Sequence, residues 1–297
     1  MKLFSRSVIA SSLFACLSLG ASQVYAVDTL AKIKNSGKLV IGFNDASMPI
    51  SYVVNGTASG YVIDICRNVA SDIKKELNMP NLKVEFLALT PSQRIESIQS
   101  GRIDMECGST TNSYKRQQLV SFSTNFYYTE VRMAVKKSSN IHNLVDLDNK
   151  AVVTTAGTTS DQYIKRNERG KNINVINVYG RDFDDSFAIL ANGKAEAFVM
   201  DDNILAGLIA RSSSPSSYEI TGPVLSSEPY AIMLPKGDEK FKALVDGTVN
   251  NLWKSGQMGK LYHKWFQSPI QPKNINLNMA PSRSYLNLQR RPTDAGI

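Results

Sequence analysis

The chain reads as an α/β protein with two similar lobes of mostly parallel sheet flanked by helices, joined by a two-strand hinge. Three observations predict this. Short apolar strands alternate with amphipathic helices, and a β-α-β-α-β order occurs twice along the chain. Two segments, "RIESIQSGRIDMECGS" from Arg94 and "SFAILANGKAEAFVMDD" from Ser186, also share one pattern of helix, glycine, basic residue and strand. Alternation of this kind requires crossover connections and therefore parallel strands. The shared glycines, Gly101 and Gly193, supply the left-handed cap that turns the chain from helix into strand.

The elements follow in order. Residues 1–26 have the pattern of a cleaved export signal: Lys2 and Arg6, an uncharged run, and the small-residue ending "VYA". A rival site at "LFAC" would place a lipid anchor on Cys16, but bulky Phe14 and a very short apolar segment argue against it. In the first lobe, "GKLVIGF", "LKVEFLAL" and "RIDMEC" are strands, and residues 64–77 and 92–99 are helices. In the second, "KAVVTTA", "INVINVY" and "AEAFVMD" are strands, with helices over 159–167 and 184–191. The chain is expected to cross between lobes near residues 129–133 and to return near 221–228. Lobe 1 then comprises 27–130 with 226–282 and lobe 2 comprises 131–225, while 283–297 is expected to be a flexible tail.

Composition excludes several classes of function. The net charge of +8 falls slightly once Lys2 and Arg6 are removed, and the remaining charges are interspersed without a basic block. Nucleic-acid binding therefore has no support. Beyond the signal, no apolar run approaches the length that crosses a bilayer. Cys66 and Cys107 remain after cleavage; they could pair in an oxidising compartment or stay as buried thiols, and the sequence leaves both open. Neither has metal-ligand spacing with His142 or His263.

In open α/β sheets, ligands bind beyond the carboxyl ends of the strands. Those ends carry residues 42–45, 108–111, 156–160, and Asp201 with Asp202. "GSTTNSYKR" offers hydroxyls, backbone amides and the planar fork of Arg116, a donor set suited to a carboxylate. "AGTTSDQ" offers the same from the second lobe through Thr158 and Thr159, and Asp201 could pair with an ammonium. Each residue also has a plainer reading. Ser109 and Thr111 could cap the helix of Arg116, Arg116 could lie on the surface, and Asp201 could cap "NILAGLIA". The case for a site is the recurrence of such groups at corresponding points of two lobes.

"GYVIDICRNVASDI" resembles the signature of the periplasmic polar amino-acid-binding proteins, which serve importers driven by ATP hydrolysis, with Val62 standing where an acidic residue is usual. "ECGSTTNSYKR", "VVTTAGTTSD", "DDSFAIL" and "AFVMDD" are similar to the glutamate/aspartate-binding members, and the similarity runs through to "SPIQPKNINLN". The resemblance implies a type II periplasmic binding fold, a free amino acid as ligand, a membrane permease as partner, a monomer and no cofactor. By resemblance, Ser109, Thr111, Arg116, Thr158 and Thr159 hold the ligand backbone and Asp201 its ammonium. The side-chain pocket departs from the pattern. Asn44 stands where an arginine would hold the distal carboxylate, Phe183 where a histidine is usual, and Pro91 in place of a serine; Arg94 keeps its identity. An acidic ligand is the first expectation and an amide ligand, glutamine or asparagine, the alternative. An enzyme on the same fold would need a nucleophile paired with a base, yet His142 and His263 lie away from strand ends and no G-x-S-x-G occurs.

Overall fold

The computed structural model describes residues 28–171 and 173–297, the side chains of 167–171 excepted. The expected signal and Cys16 lie outside the described residues. The elements run α1 Thr29–Ser36, β1 Lys38–Phe43, β2 Ala46–Ser47, β3 Ser51–Val54, β4 Thr57–Ser59, α2 Tyr61–Glu76, β5 Lys83–Ala88, α3 Arg94–Gln99, β6 Met105–Glu106, α4 Tyr114–Gln117, β7 Ser121–Phe122 and β8 Tyr127–Lys136. They continue with β9 Ala151–Thr155, α5 Ser160–Lys171, β10 Ile176–Gly180, α6 Phe183–Ala191, β11 Ala197–Asp201, α7 Asp202–Arg211, β12 Tyr218–Tyr230, β13 Met233–Leu234, α8 Glu239–Lys254, α9 Gln257–Phe266 and α10 Arg283–Arg290.

One five-stranded sheet has the order β5-β1-β6-β13-β7 and the other β10-β9-β11-β8-β12. In each, the strands of the repeated α/β pattern are parallel, and one strand, β13 in the first sheet and β8 in the second, runs antiparallel to them. Gly101 and Gly193 adopt φ of 69° and 70°, the left-handed turns that the shared pattern requires.

Strands β8 and β12 join the lobes as one long antiparallel ribbon. Tyr127 pairs with Tyr230 at one end and Lys136 with Tyr218 at the other, with a register shift between Thr221 and Ser226. At the Tyr127 end, the ribbon sinks into the core of the first lobe. Tyr127 stacks on Phe266 at 5.0 Å, and Tyr61, Tyr230 and Tyr262 join the same aromatic cluster.

Residues 283–290 are helical where a flexible tail was expected. Ser282 caps α10 by accepting from the Tyr285 amide at 3.1 Å. Tyr285 and Leu288, one helical turn apart, are buried in the first lobe. The Tyr285 ring lies 4.4 Å from that of Tyr262 and 5.4 Å from that of Trp253. Aromatic burial thus fixes a segment whose polar, proline-flanked sequence conceals its two anchors.

Cys66 on α2 and Cys107, just past β6, form a disulfide with Cα atoms 6.5 Å apart, which settles the question that the sequence left open. The bridge closes a loop of 41 residues in separation and anchors the strand end from which the 108–111 loop departs. Chain-entropy arguments give such a loop about 2–4 kcal/mol of stabilisation. Replacing both cysteines by alanine is expected to lower the unfolding free energy in urea by that amount. An unchanged midpoint would show that the bridge contributes nothing.

Candidate ligand-binding cleft

The loop after β6 carries the hydroxyls of Ser109, Thr110 and Thr111, all buried. The helix of Arg116 is capped by Ser113, whose Oγ accepts from the Arg116 amide, so Ser109 and Thr111 do not serve as its caps. Arg116 is buried and turns its guanidinium across the cleft. Its Nη1 donates to the Thr111 carbonyl at 3.0 Å, and Nη2 donates to the Gly157 carbonyl of the second lobe at 3.1 Å. Arg94, buried at the start of α3, reaches the same carbonyl through Nη2 at 3.2 Å and donates to Thr110 Oγ1 through Nη1 at 2.8 Å. Two guanidiniums of lobe 1 therefore meet on one carbonyl of lobe 2. Gly157 has φ of +80°, and a Cβ there would sit 2.7 Å from Ser92 Cα, so a side chain at this position would hold the lobes apart.

Carboxylates balance these cations. Thr110 donates to Glu106 Oε2 at 2.8 Å, linking Arg94 to a buried acid. Glu228, on β12 and fully buried, accepts from Thr111 of one lobe and, at 2.9 Å, from Thr159 of the other. Asp201 closes β11 and accepts from the Tyr230 hydroxyl without capping α7. Among the described residues, the buried Arg94 Nε, Asp201 Oδ1 and Glu228 Oε1 have no partner. A depression of about 590 Å³ opens beside the cluster, lined among others by Arg116, Gly157, Thr158 and Thr159.

The other expected residues have different surroundings. Thr158 donates its hydroxyl to the Thr155 carbonyl at 2.7 Å, within its own turn. Asn44 is buried and both ends of its amide are engaged: Nδ2 donates to the Leu89 carbonyl, while Oδ1 accepts from the Ala46 amide and the Ser47 hydroxyl. It shapes the loop that brings Ser47 Oγ within 3.2 Å of Ser109 Oγ. Phe183 lies in the apolar cluster of lobe 2, which Ala46 of lobe 1 also enters, and so forms a wall at the lobe junction.

Sequence reasoning missed Glu106, Glu228 and Tyr230. A signal existed for Glu228: a glutamate within "SSEPYAIML", a segment read as a returning strand, is a charge where burial is expected.

Electrostatics follows from dryness. Burial, then the neighbouring Glu228, raises the Asp201 carboxyl well above the usual carboxylate range. Burial raises Glu106 against the pull of Arg94 and Thr110. Burial, and then Arg94, push Arg116 down to about 9. An anion beside the guanidiniums together with a cation beside Asp201 and Glu228 would relieve both kinds of strain.

A model of the bacterial extracellular solute-binding proteins, family 3, matches residues 39–268. The chain belongs to that family. It is 41% identical over 268 residues to the L-glutamate/L-aspartate-binding protein of Pseudomonas aeruginosa, covering 90% of this chain and 89% of that one. It is 38% identical over 287 residues to the glutamate/aspartate import solute-binding protein of Escherichia coli, covering 95% of each. The fold matches a crystal structure of an ArgBP mutant from T. maritima with a TM-score of 0.72 at 26% identity, covering 81% of this chain and all of that one. The α/β architecture with two flanked sheets is thus that of the family.

The raised Asp201 carboxyl has a consequence for stability. The folded chain keeps this proton where the unfolded chain, with an ordinary value near about 3.9, releases it. Stability therefore falls as pH rises from about 4 through the folded value. Asp201→Asn removes that loss while its amide oxygen still accepts from Tyr230. The ligand-free variant is expected to melt higher than the parent at pH 7 and to show a flatter decline with pH; equal melting curves from pH 4 to 8 would contradict the assignment.

Proposed function

We propose that this protein is the periplasmic ligand-capturing component of an amino-acid importer driven by ATP hydrolysis, and that its ligand is glutamate or aspartate. The observation that carries the reading is the unpartnered set in one dry cleft. Among the described residues, Arg94 Nε is a donor without an acceptor, while Asp201 Oδ1 and Glu228 Oε1 are acceptors without donors. A zwitterion with a second carboxylate has the complementary groups, and few other small molecules do. The names of the two relatives above agree with an acidic ligand.

In this reading Arg116 and Ser109 hold the α-carboxylate, joined by Thr111 and Thr159 once the ligand ammonium replaces their hydroxyls on Glu228. Asp201 and Glu228 receive the ammonium, and Arg94 takes the distal carboxylate. Asn44 and Phe183 shape the side-chain pocket, and the Thr158 hydroxyl holds the turn that presents Gly157. Export follows cleavage after Ala26, the protein works as a monomer, and a membrane permease receives the closed, loaded form. No catalysis is proposed: His142 and His263 are exposed and distant in sequence from every group of the cleft.

Removing one partner of a buried, hydrogen-bonded charge pair costs about 2–5 kcal/mol, and each 1.4 kcal/mol is about tenfold in affinity. Arg116→Ala should therefore weaken glutamate binding by roughly thirtyfold to several thousandfold. Calorimetry of refolded, ligand-stripped protein with glutamate, aspartate, glutamine and asparagine checks both points. Normal binding by folded Arg116→Ala would remove the carboxylate assignment, and a preference for the amides would replace the acidic ligand with glutamine or asparagine.

A further inference from the structure

Residues 291–297, beyond α10, cross the first lobe beside the loop that carries Thr111 and Arg116. Their side chains are exposed or half-exposed, so apolar burial does not hold them. Backbone recognition does. The Tyr114 amide donates to the Ile297 carbonyl at 2.8 Å, and the Ile297 amide donates to the Asn112 carbonyl at 3.2 Å, a strand-like exchange. The Asn125 amide donates to the Thr293 carbonyl at 2.9 Å. Two fully buried asparagines bind the rest: Asn112 Nδ2 donates to the Asp294 carbonyl and Asn125 Nδ2 to the Ala295 carbonyl, each at 2.9 Å. Asn112 Nδ2 also donates to Asn125 Oδ1 at 3.0 Å, and Gln117 Nε2 donates to Asn112 Oδ1 at 2.8 Å. Lys242 on α8 pairs with Asp294 at 3.0 Å.

Asn112 follows Thr111 directly, and Tyr114 opens the helix of Arg116. From the structure we infer that residues 291–297 form a positioning strap: by fixing Asn112 and Tyr114 on either side of Ser113, they hold Thr111 and Arg116 in the geometry that receives the ligand carboxylate. The strap supplies backbone carbonyls to two buried amides that would otherwise lose a partner, an outcome that costs more than the net value of the bonds themselves. Its contribution therefore falls on the geometry of this loop more than on the global fold, whose core keeps Tyr285 and Leu288. The inference rests on the proposed carboxylate role of Arg116.

The test uses a chain ending at residue 290 and L-glutamate as probe, with the intact chain alongside. The shortened chain is expected to bind glutamate roughly tenfold or more weakly, with its ligand-free melting temperature within a few degrees of the parent. The synthetic peptide Arg-Pro-Thr-Asp-Ala-Gly-Ile, added at millimolar concentration, should restore most of the affinity, a rescue that general destabilisation would not produce. Gly296→Val provides a second variant, because a Cβ there would sit 2.7 Å from Gln117 Nε2 and 3.0 Å from the Asn112 carbonyl. It should weaken glutamate binding with unchanged melting, and it decides the matter if the shortened chain fails to fold. An intact chain that binds no amino acid would overturn the site itself. Intact binding that persists unchanged in the shortened chain, or in Gly296→Val where that variant decides, would overturn the strap alone.

Discussion

The structure depends on two arginines sharing one carbonyl across a lobe boundary. Arg94 and Arg116 both leave water, and both spend a donor on Gly157 of the opposite lobe. Two like charges this close repel, which is why Arg116 loses proton affinity on account of Arg94 as well as burial. Glu106 and Glu228 supply the compensating field, and Asp201 adds to it once a neighbouring cation favours its charged form, yet each carboxylate carries its own desolvation cost. Buried charges of both signs, incompletely paired among the described residues, leave a cleft that a ligand with complementary charges would stabilise.

The fold serves this arrangement by bringing strand ends together. Each lobe contributes a loop at the carboxyl edge of its sheet: 108–111 from one and 157–160 from the other. The β8–β12 ribbon spans both lobes and carries Glu228 and Tyr230 into the space between them. The ribbon is therefore a linker and a part of the site at once. One end is clamped by the Tyr127, Phe266 and Tyr262 stack, so relative motion of the lobes is expected nearer its irregular stretch between Thr221 and Ser226.

Much of this was legible in the sequence because the signals were local. Periodicity, turn glycines and hydroxyls at strand ends identify the two lobes, and the stretch 106–116 forms the buried hydroxyl loop beside Arg116 that is proposed above to receive an anion. The parts that escaped reading depend on distant partners. Glu228 becomes a cleft residue only when β12 lies between Thr111 and Thr159. Asn44 resembles a ligand donor in sequence, but folding commits its amide to Leu89, Ala46 and Ser47. The tail looked disordered because its polar residues outnumber Tyr285 and Leu288, and the pocket that receives those two is built from α8 and α9. The cysteines could not be paired from spacing alone, since their Cα separation is set by how α2 packs on β6.

On the proposed function, a ligand's carboxylates complete the counter-charge of Arg94 and Arg116 and thereby draw the lobes together. The most direct measurement is the interlobe distance by pulsed electron resonance, with spin labels on cysteines introduced at exposed Val53 in lobe 1 and exposed Ile176 in lobe 2. Ligand-stripped protein is expected to give a broad distribution, saturating glutamate one short distance, and Arg94→Met/Arg116→Met the broad distribution even with glutamate added. A short distance in the double variant with glutamate, or the same distribution in the parent with and without it, would rule out closure driven by these two arginines.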